Sequence, residues 1–148
     1  MIKEELLEYC FQYVQHKQNA LHGAISDTEL SLSSESQSTA GDKHDTSRAM
    51  MHLEIEKKSL QLSELEKLKR VLNQIQTKSN SNGVSLGTII ETDQGHFFIA
   101  INAGKVAINN KSYTIISLAS PLAQRFLTSK INDTFTLRGN TFKILAIY

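Results

Sequence analysis

The chain has 148 residues, 40% of them apolar, with a net charge of +1 and a single cysteine. That length fits one ordinary domain or two small ones, and the apolar share is below that of a compact globule, so part of the chain is expected to be extended and solvent-washed. Near-neutral charge argues against a general affinity for nucleic acid or membrane surfaces, and one cysteine rules out an intrachain disulfide or a cysteine zinc site.

Residues 3 to about 24 read as a helix. Leu7, Cys10, Val14, Leu21 and Ala24 recur at spacings of three, four and seven, with Lys17 interrupting the stripe. That is a narrow seam, as in a coiled-coil hairpin. The first residues, MIKEELLEYCFQYV, are amphipathic and acidic, without the basic start and continuous apolar core of a signal peptide. No run approaches the roughly 18 apolar residues of a membrane span, so a cytoplasmic protein is expected. The serine-rich stretch 26–42 is expected to be a frayed helical end or a loop, because hydroxyl side chains compete for backbone groups.

Residues 45–76 predict one long helix with Leu53, Leu60, Leu65, Leu68, Leu72 and Ile75 on its seam. Glu54 with Lys58 and Glu66 with Arg70 are favourable i,i+4 pairs on its wet face. Such a helix is about 45 Å long. With one apolar face it should pair antiparallel with the first helix, giving a helical hairpin over 1–78 with an acidic tip.

TKSNSNG, 77–83, is a run of turn formers. Beyond it the apolar period becomes two, with strands expected at 84–92, 95–102, 105–108, 112–118, 134–138 and 141–148. One helix, 120–130, interrupts them, with Ser120 as N-cap and Pro121 at the first helical position. The expected fold is α+β, the hairpin being followed by a small, mostly antiparallel β-sheet domain with one helix over 84–148.

No Walker loop, GxGxxG, HExxH, GxSxG or EF-hand loop is present. The histidines, at 16, 22, 44, 52 and 96, are scattered, and Cys10 sits on the apolar seam. Lys57, Lys58, Lys67, Lys69 and Arg70 are a solvated helix face or, as the less simple reading, a basic stripe guiding a nucleic-acid strand. Asp42 and Asp45 are three residues apart where the serine-rich stretch gives way to the long helix. Their spacing suits helix capping and the positive end of the helix dipole. It also suits half of a Mg²⁺ site, because Mg²⁺ takes one or two protein carboxylates and keeps its waters.

A long hairpin with GDKHD near its tip, followed by ISLASPLAQRFLTSKINDTFTLRGNTFKILAIY at 116–148, resembles the GreA/GreB transcript-cleavage factors of bacterial RNA polymerase. The resemblance implies an FKBP-like C-terminal domain, in which Ser120 and Pro121 start the helix of the polymerase-rim domain and Ile131–Asp133 forms the following turn. It implies a hairpin that enters the polymerase secondary channel. There Asp42 and Asp45 would help hold a Mg²⁺ ion shared with the polymerase, which then cleaves backtracked RNA from its 3′ end. The chain would stimulate hydrolysis without being an enzyme, and would bind neither membrane nor a specific DNA sequence. Here Asp45 stands where the family usually has Glu, and TSRAM follows it. Lys43, His44 and Arg48 bring positive charge that could neutralise the acids or contact RNA. The alternatives are a channel-binding regulator that does not cleave, a prolyl isomerase and a coiled-coil adaptor.

Overall fold

The computed structural model describes residues 2–36, 42–75 and 83–148, with side chains for these except 35–36 and 42–45. The fold is α+β: two long helices, then a six-stranded mixed sheet and a short helix. Helix α1 spans Ile2–Ser36 and α2 spans Asp42–Asn73. The strands are β1 (Ile89–Thr92), β2 (Gly95–Ala100), β3 (Gly104–Ile108), β4 (Lys111–Ser117), β5 (Thr134–Leu137) and β6 (Asn140–Ile147), with α3 (Pro121–Leu127) between β4 and β5. The chain divides into two compact units, one of residues 14–69 and one of residues 1–13 with 70–148.

The unit 14–69 is two antiparallel helices. Gln18 bonds Glu66 and Lys69, while Leu21 shares a shallow depression with Gln61 and Leu65, so rising numbers on α1 meet falling numbers on α2. Val14, Gln18 and Leu65 are buried, and Leu21, Ile25, Thr28, Leu32, Met51, Ile55, Lys58 and Leu62 are half-buried. These residues follow the three–four spacing of a coiled-coil seam. Two helices alone have no third layer, so most of the seam is only half covered.

Two sequence expectations change here. α1 continues as helix to Ser36, through residues expected to fray or loop. Two of its hydroxyls bond inside the helix: Thr28 Oγ1 donates to the Ala24 carbonyl at 3.0 Å and Ser31 Oγ to the Asp27 carbonyl at 3.2 Å. The seam of α2 runs through Met51, Ile55, Lys58 and Leu62, while Leu53 and Leu60 are 64% and 65% exposed. Both heptad phases are present on this helix, and the observed phase is the one that faces α1.

In the other unit the strand order is β3-β4-β2-β1-β6-β5. The sheet is mixed, not antiparallel throughout: β2 and β4 run parallel, with His96 opposite Tyr113 and Phe98 opposite Ile115. The hairpin β3–β4 is a two-residue turn with positive φ at both Asn109 and Asn110, and β5–β6 closes the same way through Arg138 and Gly139. The first strand begins at Ile89, not Val84. Gly87 has a φ of +92°, and Ser85 and Thr88 exchange hydrogen bonds, so residues 85–88 form a turn.

Phe97, Phe98 and Ile99 are consecutive and all buried, so β2 is covered on both faces. One face carries Ile90, Phe97, Ile99, Phe142 and Ile144, and packs on Ala123 and Phe126 of α3 and on Phe135. The four phenylalanines form tilted and edge-to-face pairs around Phe126. The other face carries Ile89, Phe98 and Ile115, all 3% exposed or less. Within this unit the apolar residues available to cover it are Leu6 and Cys10 of α1, Leu72 at the end of α2 and Ile75 just after it, which are buried as well.

Candidate functional site

The residues that the sequence marks for chemistry cluster at the start of α2. Asp42 and Asp45 occupy helical positions one turn apart, with Lys43 and His44 between them. The side chains of all four lie outside the described residues. Arg48, next along the helix, is half-buried. Beyond it the outward side of α2 presents Met50, Leu53 and Leu60, each 64–65% exposed.

The cations of α2 are largely engaged with their own helix or with α1. Lys58 Nζ lies 2.8 Å from Glu54 Oε1, and Lys67 Nζ lies 2.9 Å from Glu64 Oε1. Lys69 donates to Gln18 Oε1 at 3.3 Å. Lys58, Lys67 and Lys69 therefore each have an acid or amide close by, as on a solvated helix face.

The remaining candidates fall into place individually. His16, His22 and His52 are exposed on separate turns. Among the described residues, no three His, Cys, Asp or Glu side chains come together as a metal site. Cys10 is fully buried, and burial pushes its thiol up to about 12, so it is an inert core residue. Lys3 is also buried, and that burial lowers its pKa. Ser120 caps α3: its Oγ accepts from the Ala123 N–H at 3.2 Å and donates to the Ser117 carbonyl at 2.8 Å, with Pro121 at the helix start. The helix is shorter than the expected 120–130, because the Thr128 and Ser129 hydroxyls both turn back to the Arg125 carbonyl.

One polar cluster was not singled out from the sequence. On the sheet face that carries Phe98, His96 Nε2 lies 3.7 Å from Glu91 Oε1 and its ring sits 5.3 Å from that of Tyr113. The Tyr148 hydroxyl donates to Glu91 Oε2 at 3.4 Å. Burial raises the Tyr113 pKa, and Glu91, Tyr148 and Glu5 raise it further. The cluster depends on cross-strand register, Glu91 opposite His96 and His96 opposite Tyr113, which a linear reading does not reveal. It keeps a tyrosine protonated beside a carboxylate.

Among the described residues, no helix is long and apolar enough to cross a membrane. No protein-family model matches the chain, and neither a curated protein nor a solved structure matches it.

Proposed function

We propose that the chain is a Gre-like transcription elongation factor. It binds bacterial RNA polymerase through the secondary channel and stimulates cleavage of backtracked RNA. The observation that carries this reading is a combination of parts in one order. An antiparallel helix pair, whose second helix opens on Asp42 and Asp45, precedes a sheet domain containing a Ser120–Pro121-capped helix and closing on two strands. In this reading the C-terminal sheet domain is FKBP-like and grips the channel rim, and the protein works in the cytoplasm.

The chemistry belongs to the polymerase. Asp42 and Asp45 supply carboxylate oxygens to a Mg²⁺ ion that the polymerase also holds, and the metal supplies charge stabilisation and an activated water. Lys43, His44 and Arg48 lie where the 3′ end of the RNA would pass, and a cation there would oppose phosphate charge. The protein alone is not an enzyme. The experiment is transcript shortening in stalled, backtracked complexes, comparing the wild type with Asp42→Ala and Asp45→Ala.

A second reading keeps the binding and drops the cleavage. It is favoured by the side chains themselves: Asp45 is one methylene shorter than the family's usual Glu, and Arg48 follows one turn later. A shorter acid beside a cation reaches less far and is partly neutralised, so this form would block or modulate the channel. The same experiment separates the two, since a regulator binds without shortening the transcript.

A further inference from the structure

Strand β3 is an edge of the sheet: among the described residues its only strand partner is β4. An open edge presents main-chain N–H and C=O groups that can pair with another strand. Beside this edge lies a groove lined by Glu4, Glu5, Glu8 and Tyr9 of α1 and by Val106 and Ile108 of β3. Val106 and Ile108 are half-buried and lie on the same face as Tyr113. The carboxylate of Glu5 is felt by Tyr113, whose pKa it raises after burial, Glu91 and Tyr148. The groove therefore combines an unfilled hydrogen-bonding edge, two apolar side chains and a row of acids.

We propose that the β3 edge is a docking site for an extended, lysine- or arginine-rich segment of another polypeptide, which adds to the sheet as a further strand. Main-chain bonds to β3 would hold it, apolar side chains would rest on Val106 and Ile108, and basic side chains would meet Glu5 and Glu8. A second copy of this chain is a poorer occupant. Two-fold antiparallel pairing of β3 with β3 keeps one face continuous across both sheets. It would bring the two acidic rows to that same face, where like charges repel. The proposal does not depend on the polymerase reading, since it uses neither α2 nor Asp42 and Asp45.

The test is an NMR titration of the full isotope-labelled chain with a capped octapeptide of alternating lysine and valine. The expected result is saturable shifts confined to β3 and the first turns of α1. Alternate N-methylation of the peptide should abolish them, and the glutamate–valine peptide should give none. The exposed double variant Glu5→Gln, Glu8→Gln should weaken binding roughly three- to tenfold. The proposal is overturned by shifts outside this groove, by equal binding of the N-methylated or acidic peptide, by no binding, or by protection of all β3 amides from exchange in the free protein.

Discussion

Gln18 Nε2 donates to Glu66 Oε1 at 2.7 Å, from a side chain that is only 4% exposed on the seam of the helix pair. The amide oxygen of the same residue accepts from Lys69 at 3.3 Å. A polar residue at a seam position sets register at a cost in stability. Replacing it by Leu leaves Glu66 and Lys69 at the edge of the seam, where water can reach them. Gln18→Leu is therefore expected to unfold within about 1 kcal/mol of the wild type, while Gln18→Ala loses roughly 1–2 kcal/mol by leaving a gap. Urea denaturation followed by helical circular dichroism checks both. A loss of stability in the Leu variant as large as in the Ala variant would contradict the register role.

The phase of α2 makes a second prediction. Leu53 and Leu60 point outward, whereas Leu65 is 7% exposed. Leu53→Ser and Leu60→Ser should each change stability by no more than about 0.5 kcal/mol, and Leu65→Ala should cost roughly 2–3 kcal/mol. The midpoint of urea unfolding reads the difference directly. A large loss from Leu53→Ser would return that residue to the seam.

Phe126 is fully buried and touches three other rings, those of Phe97, Phe135 and Phe142, at 5.3, 5.5 and 6.4 Å. Phe126→Ala should cost about 3–5 kcal/mol. A small sheet domain has little more than that to lose. The sheet should thus lose its dispersed methyl and aromatic NMR signals at 25 °C, with far less change from Phe126→Leu. A folded sheet in the Ala variant would show that α3 is not central to the core.

Cys10 yields a pH prediction. Burial raises its thiol pKa to about 12 in the folded chain, above the roughly 8.5 of an exposed thiol. The folded state then holds the proton more tightly than the unfolded state. The stabilisation is complete below about pH 8.5 and declines as pH rises toward the folded value, at about 1.4 kcal/mol per pH unit. Lys3 and Tyr113 also titrate in the alkaline range, so the readout is the stability difference between the wild type and Cys10→Ala. That difference should shrink between pH 8.5 and 10. A constant difference would mean that the thiol is hydrated.

The elements with local signals could be read from the sequence. The Asn109–Asn110 turn and the Ser120–Pro121 helix start each rest on neighbouring residues. What escaped depends on distant partners. Leu53 and Leu60 compete with Ile55 and Leu62 for the same seam, and only α1 decides between them. The hydroxyl-rich end of α1 looks like a helix breaker until Thr28 and Ser31 find carbonyls four residues back. Parallel pairing of β2 with β4, and with it the Glu91–His96–Tyr113 cluster, joins residues that no local pattern links. The candidate acids were visible as a pair in sequence, but their spacing alone favours helix caps, and only the resemblance at the level of the whole chain points them to a metal.

The most direct test of the account is RNA cleavage by stalled, backtracked complexes of the cognate polymerase in Mg²⁺, with the wild type, Asp42→Ala and Asp45→Ala added at equal occupancy. The wild type should shorten the transcript from its 3′ end. Each variant should still bind but lose at least about tenfold in cleavage rate, the scale of removing one charged contact worth about 1.4 kcal/mol or more in the transition state. A wild type that binds without cleaving, or variants that cleave as well as the wild type, would contradict it.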